Sequence, residues 1–333
     1  MNIKDSYLDA VKSLGYAETE ARFLYITATH SGYFTAAQFR SFSALPTGRR
    51  SFRFTQRVIA NKHATLDVYA QNTRVYHLFS RKFYSAIGKE NIRNRREHEF
   101  SFIQTRLIML DYILSNQGHE YFETEGQKVH YFCEVLGLGK EYLPTKLYLG
   151  QRSSSVTSRY FVDKFPMFRS GSSSSPSVVT FTYVAVNAAD NLTGFVTYLQ
   201  TYLPLFRQLK QFNFLFISAQ ADQFLQAREI FSKLVQIPLR LPTAGELVRY
   251  FRIRGAWETK QFARLRHEDV QFLHDATKAF RAGHFQELYE AWNAGRVTEP
   301  EVRAVFAGQG CTGEINFDTC IVRPQGFLSR LKT

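Results

Sequence analysis

The 333-residue sequence predicts an α+β protein in three successive parts. Three observations carry that reading. Helical periodicity over residues 18–62 gives way to alternation in HATLDVYA and RVYHLF, residues 63–79. Between Val178 and Val235, strand-like and helix-like segments take turns. From Glu246 onward the pattern is helical, ending in a Gly-containing tail.

The elements follow in order. Glu18 to Ser31 reads as a helix with Phe23, Leu24, Ile26 and Ala28 for a core, stopped by Gly32. Thr35 is a good N-cap for a short second helix, AAQFRSFS, with Phe39 and Phe42 on one face. Leu45-Pro46-Thr47-Gly48 is a turn, because Pro fixes φ and Gly frees it. A third helix runs from Arg49 to Lys62. At about 100° per residue, Arg49, Arg50, Arg53, Gln56 and Arg57 fall on one side of it. Phe52, Phe54, Val58 and Ile59 fall on the other, and neither side carries an acid. His63–Ala70 and Arg74–Phe79 then form two strands around the turn Gln71-Asn72-Thr73. Ser80 caps a helix running to Gly88. Three helices followed by a hairpin, with a basic third helix, make a winged helix-turn-helix.

Beyond it, Lys89–Arg96 is a basic connector, and Glu97–Asn116 is a long helix with Phe100, Ile103, Leu107, Leu110 and Leu114 at core spacing. Val129–Leu136, Leu147–Leu149 and Tyr160–Val162 are expected as short strands. Ser153–Ser155 and Ser170–Ser177 are expected as loops. Strand 178–186, helix 192–210 (interrupted by Pro204), strand 212–218 and helix 221–235 make an α/β unit with a crossover. The expected domains are residues 1–88, a basic linker 89–97, an α/β domain 98–240 and a mainly helical region 241–333.

Charge localises the function. The chain carries +13 formally, and thirteen of its 42 basic residues lie within 40–96 against only Asp67 and Glu90. A focused excess of this kind is the footprint of a polyanionic partner. Arg suits guanine and Gln suits adenine in the major groove, so Arg49, Arg50, Arg53, Gln56 and Arg57 are the candidate reading face, with Lys62 beside them. Asn72, Thr73 and Arg74 at the hairpin tip read equally as groove contacts or as an idle turn. Arg40, Arg93, Arg95 and Arg96 are candidates for phosphate contacts, and 89–96 reads equally as a solvated linker.

Over residues 17–115 the sequence resembles the replication-relaxation family of bacterial plasmids and mobile elements. The similarity lies in TAAQF, RRSFRFTQRVIANK, the hairpin ending in VYHLFS, and REHEFSFIQTRLIML, whose His98 opens the long helix. It implies a winged-helix DNA-binding protein in transcriptional regulation or in replication and maintenance of a mobile element. It also implies a C-terminal part similar to the PD-(D/E)XK nuclease core. Such a core needs acids and a lysine around a divalent metal. Here Pro144-Thr145-Lys146 stands where an acid is wanted, and TFTYVAVN has neither acid nor lysine. The unit is therefore read as inactive.

Other classes fall away. Cys133, Cys311 and Cys320 are too scattered for a disulfide framework, which points to a reducing, cytoplasmic setting. The first residues lack an apolar signal segment, and Asn191–Phe206 is too short and too broken to span a membrane. His267 and His274 sit beside Asp269 and Asp275 as ordinary helix-surface composition, so no metal and no cofactor are expected. The expectation is a sequence-specific double-stranded DNA-binding homodimer, with the C-terminal part free to meet a protein partner. The alternatives are a winged-helix-directed nuclease or nicking enzyme, drawing acids from Asp163 or Asp190, and a protein-docking scaffold.

Overall fold

The computed structural model describes residues 1–44, 48–149, 156–163, 165–170, 178–186, 192–237, 243–280, 283–307 and 314–323. The fold is mixed α+β. It divides into two compact units: Met1–Pro238 with Glu314–Thr333, and Leu239–Gly313.

In the first unit, α1 (Asp5–Lys12) packs Leu8 and Val11 against α2 (Glu18–His30). The sequence reading had no helix at α1. Helix α2 is central: every residue from Phe23 to His30 is buried. After β1 (Tyr33–Phe34), helix α3 (Ala36–Phe42) starts at a capping box. Gln38 N donates to Thr35 Oγ1 (3.2 Å), and Thr35 N donates to the Gln38 side chain (2.9 Å). Helix α4 (Gly48–Ala60) precedes the antiparallel pair β2 (Ala64–Tyr69) and β3 (Thr73–Leu78), and β1 joins β3 in a three-stranded sheet ordered β1-β3-β2. Helix α5 (Arg81–Ala86) begins at the Ser80 cap. Helix α6 (Phe100–Ser115) is the long helix expected from its apolar spacing.

The second sheet has five strands in the order β10-β9-β8-β7-β4: β4 (Glu120–Tyr121), β7 (Met167–Ser170), β8 (Val178–Ala185), β9 (Phe212–Ser218) and β10 (Ile315–Ile321). β4, β7 and β8 pair antiparallel, whereas β8, β9 and β10 run parallel. Helices α8 (Thr193–Phe206) and α9 (Phe224–Phe231) supply the crossovers, with Pro204 in the last turn of α8. Strand alternation sends Phe212, Phe214 and Phe216 to one face, where they meet Phe206 (4.6 Å), Phe231 (4.9 Å) and Phe195 (5.1 Å). Leu215 and Ile217 face the other way, into the core that contains Phe23 of α2 and Ile108 of α6. Residues 1–88 and the α/β part, read as separate domains, thus share one core.

Three expectations need correction. Val129–Leu136 is not a strand. Thr124 and Gln127 form a capping box that starts α7 (Glu125–His130), and the chain continues through a π-type turn, Tyr131–Val135. The hairpin β5 (Thr145–Leu149) with β6 (Val156–Tyr160) stands apart from both larger sheets, and its second strand ends where Tyr160–Val162 was expected to begin. The Gly-containing tail holds β10, which pairs with β9 far from it in sequence. The turn at 45–47, Ser153–Ser155, most of Ser170–Ser177, Asp190 and Cys311 lie outside the described residues.

The second unit is helical, as its sequence indicates: α10 (Ala244–Glu258), α11 (His267–Ala279), α12 (Gly283–Asn293) and α13 (Glu299–Ala307). Leu247, Phe251, Phe280, Tyr289 and Val302 form its core. Among the described residues no helix is long and apolar enough to cross a membrane.

Candidate functional site

Helix α4 is fixed by its inner side. Phe54 stacks on Phe39 of α3 (3.9 Å between centroids) and meets Phe23 of α2 and Phe34 of β1, both at 5.9 Å. Ser51, Thr55 and Val58 complete the buried stripe. The small hydroxyl residues keep their oxygens satisfied on the helix backbone, Ser51 donating to Gly48 O (2.8 Å) and Thr55 to Phe52 O (2.9 Å). At the far end His63 N donates to Val58 O and Lys62 N to Ile59 O, with Lys62 at φ +55°. This is a Schellman stop built on a residue other than glycine.

The outer side presents Arg49, Arg50, Arg53 and Gln56, all exposed. No Asp or Glu occurs between Glu20 and Asp67, so nothing on α3 or α4 neutralises this face. Phe52, placed by periodicity on the apolar side, is 55% exposed instead. The buried stripe is centred on Phe54 and Val58, and Phe52 stands outside it next to Gln56 and Arg49. Sequence angles alone gave no centre for the stripe, which is why Phe52 was missed.

The remaining candidates divide. Arg57 turns from the outer face toward α2, pairing with Glu20 (2.7 Å) and donating to Gly15 O (3.4 Å). Lys62, Arg74 and Arg40 are exposed, as is Asn72, which adopts φ +58° at the hairpin tip. Thr73 is buried at 6% exposure, so its side chain is not presented at the tip. Of the three candidate arginines of the connector, Arg93, Arg95 and Arg96, Arg96 alone is exposed. Arg93 lies over the Tyr148 ring (4.9 Å), and Arg95 has a buried Nε. The connector is not a loose linker: Asn94 is buried, and its Nδ2 donates to Ala28 O (3.0 Å) and Thr29 O (2.9 Å), closing the C-terminal end of α2. Arg81 and Lys82, exposed at the start of α5, belong to the same basic stretch and were not singled out from sequence.

The hairpin is anchored through histidine. His77 stacks on Tyr33 (4.4 Å) and bonds to Asn94 O (3.2 Å), while His63 bonds to the Tyr16 hydroxyl (2.7 Å). Burial holds both imidazoles below the ordinary histidine range.

No group of three or more His, Cys, Asp or Glu side chains that could hold a metal ion occurs among the described residues. Asp163 accepts from the Tyr202 hydroxyl (2.6 Å) and from Phe165 N (3.0 Å). His274 pairs with neighbouring Asp275 on an exposed surface. Comparison with family models, curated proteins and solved structures finds no significant match.

Proposed function

We propose that this protein binds double-stranded DNA sequence-specifically, with α4 as the recognition helix of a winged helix-turn-helix and the β2–β3 hairpin as its wing. The observation that carries the reading is the outer face of α4, where Arg49, Arg50, Arg53 and Gln56 stand exposed on a helix whose inner face is locked by Phe54. Arg and Gln make two-pronged contacts to guanine and adenine edges, and neighbouring cations set the register on phosphates. Arg49, Arg50, Arg53 and Gln56 are assigned to bases, and Arg40, Lys62, Arg74 and Arg96 to the backbone. Arg57 holds α4 on α2. The role that follows is control of transcription, or replication and maintenance of a mobile element, by occupancy of a site. The α/β part is read as non-catalytic, since β8 carries no acid or lysine and Asp163 is engaged by Tyr202.

The deciding experiment is selection from a random duplex pool at ~150 mM salt, a regime in which exposed charges are screened beyond roughly 8 Å. Arg49→Glu/Arg53→Glu serves as the control. An enriched motif that the control loses supports base readout, and a two-fold symmetric motif supports a homodimer. Retention without enrichment reduces the reading to backbone binding. No retention refutes it and passes the basic face to an acidic protein partner.

A further inference from the structure

A cavity of about 310 Å³ lies in the first unit at the carboxyl end of β8. Residues 184–186 close it from the sheet, and Gln104 and Thr105 from the first turns of α6. Leu192, just ahead of α8, and Gln223, just ahead of α9, bring in the starts of both crossover helices. β8 and β9 are parallel, with α6 against one face of their sheet and α8 and α9 against the other. The space beyond the carboxyl ends of parallel strands is where open α/β sheets hold their ligands. The volume is at the lower end of the range of small-molecule sites, roughly 300–1,000 Å³.

The chemistry of the wall narrows the occupant. Gln104 is only 7% exposed, yet its amide has no hydrogen-bond partner among the described residues. It borders the cavity, so whatever completes its hydrogen bonds comes from there. A covered amide without partners costs free energy that an occupant with matching groups recovers. No Asp, Glu, Lys, Arg or His occurs among the described residues lining this space. An ionised group would enter it without a counter-charge, which is costly away from water, so the enclosed part of an occupant is uncharged. Phe102, Phe165 and Leu192 add apolar wall. The glutamine amide sets a donor beside an acceptor, the pattern that pairs two-pronged with the edge of adenine.

We propose that this cavity binds an uncharged nucleobase of the adenine type, held by two hydrogen bonds to the Gln104 amide and by apolar contact with Phe102, Phe165 and Leu192. The site shares no residue with the outer face of α4, so its occupancy stands or falls independently of duplex binding.

The test is calorimetric titration and thermal unfolding of the full chain with adenine and adenosine. Benzimidazole, which has the fused rings without the exocyclic amine, is the control. The expected result is saturable binding and a rise in Tm with adenine or adenosine, the tighter of the two naming free base or nucleoside, and at least tenfold weaker binding of benzimidazole. Gln104→Met keeps the length of the side chain without its amide. It should fold with a ligand-free Tm no lower than that of the wild type and bind the better ligand at least tenfold more weakly. Four outcomes overturn the proposal: no binding of adenine or adenosine; benzimidazole bound as tightly as either; undiminished binding by Gln104→Met; or a lower ligand-free Tm or failure to fold in that variant, which makes the Gln104 amide structural.

Discussion

The backbone carbonyl of Asn94 fills the space that a side chain on Gly32 would occupy. Gly32 sits at φ +83° just beyond α2, and a Cβ there would overlap the Asn94 oxygen. Two costs add on substitution: the left-handed conformation, about 1–2 kcal/mol for an L-residue, and displacement of the connector. Gly32→Ala should therefore destabilise by more than the conformational cost alone. Asn94→Ala, which removes two buried bonds to the end of α2, should lose ~2–3 kcal/mol. Urea unfolding of each variant checks both. A Gly32→Ala protein as stable as the wild type would show that the connector is not clamped.

Phe52 and Phe54 are two residues apart and should respond oppositely. Phe54→Ala empties the stack between α3 and α4 and should cost about 3–5 kcal/mol. Phe52→Ala removes an exposed ring and should change stability by no more than about 0.5 kcal/mol. Comparable losses would mean that α4 is rotated from the orientation described.

Within α4 the arginines separate by partner. Arg57→Ala breaks a half-exposed pair with Glu20, worth at most about 1 kcal/mol, and should shift stability slightly while leaving duplex selectivity intact. Arg53→Ala should leave stability unchanged and relax specificity by ~1–3 kcal/mol at one base position. Binding to single-substitution duplex variants distinguishes them.

Lys62 holds a conformation suited to glycine. Lys62→Gly relieves the left-handed strain but loosens the unfolded chain, so its net gain in stability should be at most about 1 kcal/mol. Duplex affinity should fall and depend less steeply on salt, because one phosphate contact is lost. An unchanged salt slope would remove Lys62 from the interface.

Stability should also depend on His30. Burial lowers its pKa to about 4, with Lys89, Lys128 and Arg106 reinforcing the shift and Glu123 opposing it. The unfolded chain takes up this proton near 6.5 and the folded one does not. The contribution is therefore complete above the ordinary histidine range and is lost as pH falls from about 6.5 toward 4, by up to ~3 kcal/mol. His30→Phe should flatten that part of the profile, read by denaturant unfolding at several pH values. Profiles that run parallel would exclude His30 as the source.

Much of the fold was legible because local signals were strong and agreed. The Thr35 and Ser80 caps, the alternation around Asn72 and the apolar run of β9 each name an element without help from the rest of the chain. Where signals competed, the stronger start signal won: the Thr124–Gln127 box overrode the strand-like residues after it. The basic face was readable from the spacing of Arg49, Arg53 and Gln56. The fate of Arg57 was not, because Glu20 meets it only through tertiary packing. The burial of Thr73 and Lys128 likewise depends on neighbours distant in sequence.

Strand β10 pairs residue for residue with β9, yet Ile315 follows Ser218 by 97 positions. At a synthesis rate of about 5–20 residues per second, the outer edge of β9 emerges from the ribosome roughly 5–20 seconds before its partner exists. For that interval a row of unsatisfied backbone groups on an aromatic-rich strand is open to any passing extended chain. The nascent protein thus has a window in which a chaperone, or slow adhesion to its neighbours on the same message, decides how much of it matures.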